Sequence, residues 1–168
     1  MTERIDPQHF LDTVIPVVRQ CAAASRVFYG DVADVGKKAD RSLSGQQAQH
    51  ASSVLTVLDA AFQELILGAV HGRFPGIRCI AEENTPMRRA FAGNESDYVV
   101  ILDPIDGTLH FQAGDAPYHV CVGLARRGRM VAAAVARPSE DKLFTAISGQ
   151  GAWLQRGKRR ARRLQLAK

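Results

Sequence analysis

Two carboxylates stand three residues apart, directly after a run of apolar residues. The run Val99–Leu102 is typical of a buried strand, and Asp103 and Asp106 follow it on either side of a Pro-Ile pair. We expect Pro104 to end the strand, because proline cannot donate a hydrogen bond to a neighbouring strand. In a tight turn, this spacing lets both carboxylates and the backbone carbonyl of Ile105 converge on one point. Three hard oxygen atoms at one point suit Mg²⁺ or Mn²⁺.

The residues after these carboxylates are suited to binding an anion. Gly107 allows close approach of the backbone, and Thr108 offers a hydroxyl group. If a helix starts here, the N–H groups of Gly107, Thr108 and Leu109 have no partner within that helix and form an anion site beside the metal. A metal site next to an anion site is the arrangement that phosphate chemistry uses. The alternative is an ordinary Asp-Pro turn in which Asp106 caps a helix.

A second pair of acids follows another short strand upstream. Residues 77–84 begin with an apolar stretch and run into Glu82 and Glu83. If both strands belong to one sheet, their acids meet at one edge of that sheet. Two metal ions a few ångströms apart need bridging carboxylates, and Glu82 is placed to be one. The two acidic segments together therefore favour the metal hypothesis over the simple turn.

These segments resemble the inositol monophosphatase-like family of Mg²⁺-dependent, lithium-sensitive phosphatases. The hallmarks of that family are a Gly-Glu-Glu segment, here Ala81–Glu83, and an Asp-Pro-Ile-Asp-Gly-Thr segment, here Asp103–Thr108. A third match, Leu55–Ala61, is similar to the Val-Thr-x-x-Asp helix start of the family. The longer second motif is specific, whereas the first alone would be weak. The resemblance extends from about residue 10 to the end of the chain.

The resemblance implies roles for particular residues in the hydrolysis of a phosphomonoester. Two or three Mg²⁺ ions, or Mn²⁺, would be held by Glu82, Asp103, Asp106 and the Ile105 carbonyl. Thr108 and Glu82 would orient a metal-activated water for in-line attack, and the N–H groups of residues 107–109 would hold the phosphate. The products would be inorganic phosphate and a small alcohol, sugar or nucleotide.

Asp59 has two interpretations. It falls inside the helical pattern of residues 47–72, so it could be an exposed helix acid. The resemblance instead implies an acid that faces the metal site and orients a metal-bound water or a third, weaker metal. In the polar loop of residues 30–46, Lys37 or Lys38 would match a lysine that relatives bring near the metals, or would be solvated.

The periodicity of the chain predicts the elements that carry these residues. Apolar positions recur at helical spacing over residues 7–29 and 47–72, and Asp6 and Gly30 bound the first helix. Residues 84–96 are expected to form a polar loop. Short strands joined by tight turns follow from residue 98 onwards. The expected fold class is α+β: two N-terminal helices on a mostly antiparallel sheet, resembling the first half of the layered αβαβα sugar-phosphatase fold.

Charge and composition limit the classes of protein to which this sequence can belong. The chain has 168 residues, 46% of them hydrophobic, with no apolar run of membrane-spanning length and three scattered cysteines. This composition and the polar N-terminus predict a cytoplasmic globular protein. Seven basic residues after position 155 account for the net charge of +5, because without them 15 basic residues face 17 acidic ones. We therefore expect an α+β domain over residues 1–155 and a basic edge strand or tail over residues 156–168. The tail has no aromatic residues for base stacking, so nucleic-acid binding is not favoured.

The length of the chain leaves three possibilities open. The resemblance covers only the N-terminal portion of the family, whose second half supplies a further aspartate in a Trp-Asp segment. The only tryptophan here, Trp153, is followed by Leu154. The chain would be part of a longer or split phosphatase, a short phosphatase completed by homodimerisation or another chain, or a non-catalytic metal- or phosphate-binding or interaction module. In the first two cases the sheet should expose an apolar face that the missing half would cover.

Overall fold

The computed structural model describes residues 4–30, 53–115 and 117–165, without the side chains of residues 53–56, 108, 109 and 112. Lys37 and Lys38 lie outside the described residues.

Two long helices form one layer. Helix α1 spans Pro7–Phe28 and α2 spans Ser53–Arg73. The Asp6 side chain caps α1 by accepting a hydrogen bond from the Gln8 N–H at 3.0 Å, and Pro7 occupies the first turn. The two helices pack against each other. Both predicted helices are confirmed, although residues 47–52 are not described.

A seven-stranded sheet forms the second layer, and its strands lie side by side in chain order. The strands are β1 (Arg78–Ala81), β2 (Tyr98–Asp106), β3 (His119–Arg126), β4 (Arg129–Arg137), β5 (Lys142–Ile147), β6 (Gly151–Arg156) and β7 (Arg162–Arg163). β1 runs parallel to β2, and every later pair is antiparallel. The fold is α+β, as predicted.

The core lies between the helices and one face of the sheet. Helix α1 contacts β3 and β4, and α2 contacts β2. Alternate residues of the central strands are buried beneath the helices; they include Val100, Leu102, Val120, Val122, Leu124, Ala132, Ala134 and Ala136. This alternation is the period-2 pattern of strands that bury one face.

The opposite face of the sheet exposes apolar side chains. Ile80 of β1 lies beside Ile101 of β2, and their exposed fractions are 59% and 37%. Met130 of β4 is 49% exposed, and its methyl group lies over Gly123 of β3. The predicted exposed apolar face is therefore confirmed, whereas its burial by a second half or another chain stays a prediction.

Two local predictions were wrong. Strand β2 does not end before Pro104 but runs on to Asp106, because a register shift between Asp103 and Asp106 places the proline where the ladder is already interrupted. Residues 84–96 are not all loop, because a short helix, α3, spans Pro86–Ala90. Thr85 caps α3 through the Arg88 N–H, and Pro86 occupies its first turn.

A fourth helix, α4, spans Thr108–Ala113 directly after β2. Strand β7, at the far edge of the sheet, pairs Arg162 and Arg163 with β6. Within the described segments, no helix has the length and apolar character needed to cross a membrane.

Candidate active site

The acids of the two predicted segments meet at one edge of the sheet. β1 and β2 are parallel, and Ala81 pairs with Leu102, so Glu82, directly after β1, lies level with Asp103 of β2. The side chain of Glu82 is close enough to the Asp103 carboxyl group to lower the pKa of that group. Glu82 is exposed, and Asp103 is half-buried. The parallel pairing is thus what brings together two acids that are far apart in sequence.

Asp103 sits in an environment that opposes its charge. Burial raises the pKa of this carboxyl group, and the nearby negative charge of Asp106 raises it further. Hydrogen bonds from Glu82 and from the Ile105 backbone act in the opposite direction but do not cancel the shift. The Oδ1 atom of Asp103 is buried and has no hydrogen-bond partner among the residues described. A cation at this point would satisfy that oxygen and offset the repulsion between the acids.

A break in the β2–β3 ladder sets the direction of the two aspartates. Asp103 pairs with Cys121 and Asp106 pairs with His119, with a register shift between these pairs. Ile105, in the shifted segment, has a side chain that is only 1% exposed. The segment is therefore anchored in the core by Ile105, while Asp106 stays exposed.

Gly107 joins this segment to α4 through a backbone conformation that favours glycine. Its φ angle is +94°, in the left-handed half of backbone space. The Gly107 carbonyl accepts the hydrogen bond of the Phe111 N–H at 3.0 Å, so the helix begins immediately after the acids. The backbone N–H groups of residues 107–109 lie in its first turn, as expected. The side chains of Thr108 and Leu109 are not described.

Aromatic packing fixes α4 beneath the acidic segment. The rings of Phe111 and Tyr118 meet edge to face, with centroids 4.5 Å apart, and Tyr29 at the end of α1 stacks on Tyr118 at 5.2 Å. The Tyr118 hydroxyl is hydrogen-bonded to Ser25 Oγ at 2.7 Å. The position of the residue 107–109 backbone is thus tied to α1 and the core.

Asp59 is buried in α2, with an exposed fraction of 5%. The interpretation of Asp59 as an exposed helix acid is therefore wrong. It lies one turn before Gln63, and residues four apart share a face of a helix. That face is directed toward the end of β1, because Gln63 bonds to the segment that follows Glu82.

Gln63 is a positioning residue that sequence reasoning missed. Its side chain is fully buried, and its Nε2 donates to the Glu83 carbonyl at 2.6 Å and to Thr85 Oγ1 at 2.8 Å. Its Oε1 accepts from the Glu83 N–H at 2.9 Å. The amide therefore fixes the backbone directly after Glu82. The available signal was a polar residue one turn after Asp59 on an otherwise apolar helix face.

His119 was also missed by sequence reasoning. Its Nδ1 lies 3.5 Å from Asp106 Oδ2, and its Nε2 accepts a hydrogen bond from Arg137 Nε at 3.1 Å. No local pattern points to this residue, because its contacts depend on the register of three strands.

The donor set fits a hard divalent cation in its chemistry. It offers carboxylate oxygens, one of them buried without a hydrogen-bond partner in the described segments, at a place where like charges crowd. Within those segments, no three His, Cys, Asp or Glu side chains are gathered closely enough to define a coordination sphere. Asp103 interacts with Glu82 and with Asp106. The three acids therefore match a divalent cation in the type of donor atom that they offer.

Comparison with solved structures identifies the class of fold. The chain superposes on SuhB of Mycobacterium tuberculosis with a TM-score of 0.70 and 24% identity, covering 98% of this chain and 54% of that one. It superposes on CysQ of Bacteroides thetaiotaomicron, described as a bacterial member of the inositol monophosphatase family, with a TM-score of 0.67 and 21% identity, covering 96% and 59%. The two-layer fold is thus the one found in half of these larger proteins.

The chain belongs to the inositol monophosphatase family, whose family model matches residues 12–168. It is 33% identical over 98 residues to Nus factor SuhB of Pasteurella multocida, covering 58% of this chain and 35% of that protein. It is 27% identical over 148 residues to fructose-1,6-bisphosphatase of Pyrococcus furiosus, covering 88% and 52%. The chain therefore spans between about a third and about a half of these relatives.

Proposed function

We propose that the chain carries the metal-binding part of a Mg²⁺-dependent phosphomonoesterase. The observation that carries the proposal is the half-buried Asp103, whose Oδ1 has no hydrogen-bond partner among the described residues and which lies level with Glu82 and beside the charge of Asp106. Carboxylates crowded against their mutual repulsion are a common mark of a functional site. The relatives add support, because one is named an inositol-1-monophosphatase and another a fructose-1,6-bisphosphatase.

Four groups of this chain are assigned to the metal. Glu82, Asp103, Asp106 and the carbonyl of Ile105 would hold two or three Mg²⁺ ions, or Mn²⁺. When bound, the metal lowers the pKa of a water molecule and offsets negative charge on the phosphate. The anchoring of Ile105 in the core keeps this segment in place before any ion arrives.

The remaining site residues act on the water and the phosphate. We propose that Thr108 and Glu82 orient the attacking water. We propose that the buried Asp59 faces the same side of the site. The N–H groups of Gly107, Thr108 and Leu109 are assigned to the phosphate oxygens, since the first turn of a helix presents such groups outward. The substrate is a small phosphorylated alcohol, sugar or nucleotide, and the products are inorganic phosphate and the alcohol.

The site is proposed to need a further protein surface. The chain spans about half of the solved relatives, and the outer face of its sheet exposes Ile80 and Ile101. A second copy of this chain or a C-terminal half would cover this face. A second candidate function is a metal- or phosphate-binding or interaction module without catalysis, since the described residues gather no three side chains that could hold a metal ion. Neither proposal involves a membrane or nucleic acid. We place the protein in the cytoplasm because all three cysteines are unpaired thiols.

Phosphate release from a panel of phosphomonoesters, with and without Mg²⁺, tests the proposal. Asp103→Asn removes a proposed ligand, and Asp97→Asn is the matched control, because Asp97 pairs with Arg127 at 2.8 Å and is not assigned to the site. We expect Mg²⁺-dependent release that Asp103→Asn abolishes and Asp97→Asn retains. Mg²⁺ binding without release would support the non-catalytic module instead. Release that is indifferent to Mg²⁺ and to Asp103 would overturn the proposal.

A further inference from the structure

We propose that His119 and Arg137 form a positioning pair that holds Asp106 in the orientation required for metal binding. The inference rests on the proposed function, since it concerns a ligand of the proposed metal site. Neither residue belongs to the motifs that carry the resemblance.

Strand register places the three residues in one row across the sheet. Asp106 of β2 pairs with His119 of β3. In the β3–β4 ladder Val120 pairs with Ala136, so the next position along sets His119 beside Arg137. Side chains that face each other across neighbouring strands lie within contact distance. The row is therefore a consequence of the fold and does not depend on a flexible loop.

The contacts assign the proton on the imidazole ring. Arg137 Nε, which always carries hydrogen, donates to His119 Nε2 at 3.1 Å. An accepting Nε2 leaves the ring proton on Nδ1, and Nδ1 lies 3.5 Å from Asp106 Oδ2. The ring thus presents an N–H group to the carboxylate on one side and a lone pair to the guanidinium group on the other.

The far side of Arg137 is held as well. Its Nη1 donates to Glu140 Oε1 at 2.8 Å, and Glu140 is also paired with Lys142. The guanidinium group is therefore fixed between Glu140 and the imidazole ring of His119. A series of contacts therefore runs from Glu140, in the turn after β4, through Arg137 and His119 to Asp106 at the end of β2.

These contacts matter because the Asp106 carboxyl group is 58% exposed and would otherwise rotate in solvent. The His119 ring, whose Nδ1 lies 3.5 Å from Oδ2, limits that rotation and leaves Oδ1 for an ion. In many proteins, residues that contact a metal ligand orient that ligand in the same manner, and their loss typically costs about 10- to 100-fold in metal affinity.

Mn²⁺ affinity of the full chain, measured by electron paramagnetic resonance, tests the inference with two matched variants. His119→Asn keeps an N–H donor near the Nδ1 position but loses the contact with Arg137, whereas His119→Gln keeps an acceptor near Nε2 but loses the donor to Asp106. The control is His110→Gln, because His110 Nδ1 lies 3.0 Å from Asp115 Oδ1, a carboxylate with no assigned role.

We expect His119→Gln to weaken Mn²⁺ binding at least about tenfold and His119→Asn, which loses only the Arg137 contact, to weaken it less, while His110→Gln stays within about threefold of wild type. Unchanged affinity in His119→Gln would overturn the inference. Equal losses in His119→Asn and His119→Gln, matched by equal falls in unfolding temperature, would show a merely structural role and overturn it too. No Mn²⁺ binding by the wild type would remove the proposed metal site itself, and the inference with it.

Discussion

Asp103 is a residue whose charge costs stability when no cation is present. Burial and the negative charge of Asp106 both raise its pKa, so the folded protein binds the Asp103 proton more tightly than the unfolded chain does. Above the folded-state pKa the ionised group therefore destabilises the metal-free fold. As the pH falls from that pKa towards the lower pKa of the unfolded chain, the proton binds and the cost shrinks, and below the unfolded-state pKa the cost is absent.

Replacing Asp103 by Asn should therefore stabilise the metal-free protein. We expect Asp103→Asn to raise the unfolding temperature in the presence of a chelator at neutral pH, with a gain that shrinks as the pH is lowered. Thermal unfolding monitored by circular dichroism at several pH values measures both effects. Asp97→Asn, which removes the acid paired with Arg127, should give no gain. A lower unfolding temperature for Asp103→Asn would contradict this description of the site.

Gln63 stabilises the segment after Glu82 through three buried hydrogen bonds. We expect Gln63→Leu to lower the free energy of unfolding by about 2–4 kcal/mol, because it removes three hydrogen bonds that a buried side chain makes to the Glu83 backbone and to Thr85 Oγ1. Urea denaturation gives the value. Gln63→Met, which keeps the length of the side chain but none of its hydrogen bonds, should lose a similar amount. A much smaller loss in Gln63→Met than in Gln63→Leu would show that packing, and not hydrogen bonding, carries the effect.

At the scale of elements, the passage from β2 to α4 depends on the backbone of Gly107. A side chain at a φ of +94° is strained, and the Cβ of alanine there would contact the Pro117 carbonyl at 3.5 Å. We expect Gly107→Ala to lower the free energy of unfolding by about 1–2 kcal/mol. The same measurement on Gly68→Ala is the control.

Gly68 lies inside α2 and has open space around its missing side chain. Gly68→Ala should therefore raise the free energy of unfolding by up to about 1 kcal/mol, because alanine favours the helix. If both substitutions changed stability in the same direction, the left-handed turn at Gly107 would not be a constraint.

The sequence was informative about elements wherever the signal was local. The Asp6-Pro7 start of α1 and the strand patterns lie within a few residues, and each predicted its element correctly. The end of β2 was predicted wrongly because proline usually ends a ladder, whereas here Pro104 lies at a register shift that only the pairing with β3 defines.

Contacts between elements that are distant in the chain could not be predicted from the sequence. The bonds from Gln63 to Glu83 join α2 to the end of β1, and the contact of His119 with Asp106 depends on strand register. Neither contact leaves a periodic pattern along the chain. A motif indicated the acids of the proposed site, whereas the residues that contact these acids or the segment beside them, Gln63 and His119, had no such signal.

At the scale of the whole molecule, one layer of helices and one sheet support the neighbouring acids Glu82, Asp103 and Asp106 at the sheet edge. The described helices cover one face of the sheet, and the other face exposes Ile80, Ile101 and Met130. Such a patch on a small domain commonly marks an interface. The three acids lie within β2 or directly after β1, so binding of an ion is the property that we expect this chain to display by itself.

Calorimetric titration of the purified chain with Mg²⁺ tests this central claim most directly. We expect saturable binding by the wild type, weakened at least about tenfold in Asp103→Asn and unchanged in Asp97→Asn, because hard cations bind through carboxylate oxygens and each tenfold loss corresponds to about 1.4 kcal/mol. Absence of Mg²⁺ binding, or binding that is equal in wild type and Asp103→Asn, would contradict the assignment of Glu82, Asp103 and Asp106 to a metal site.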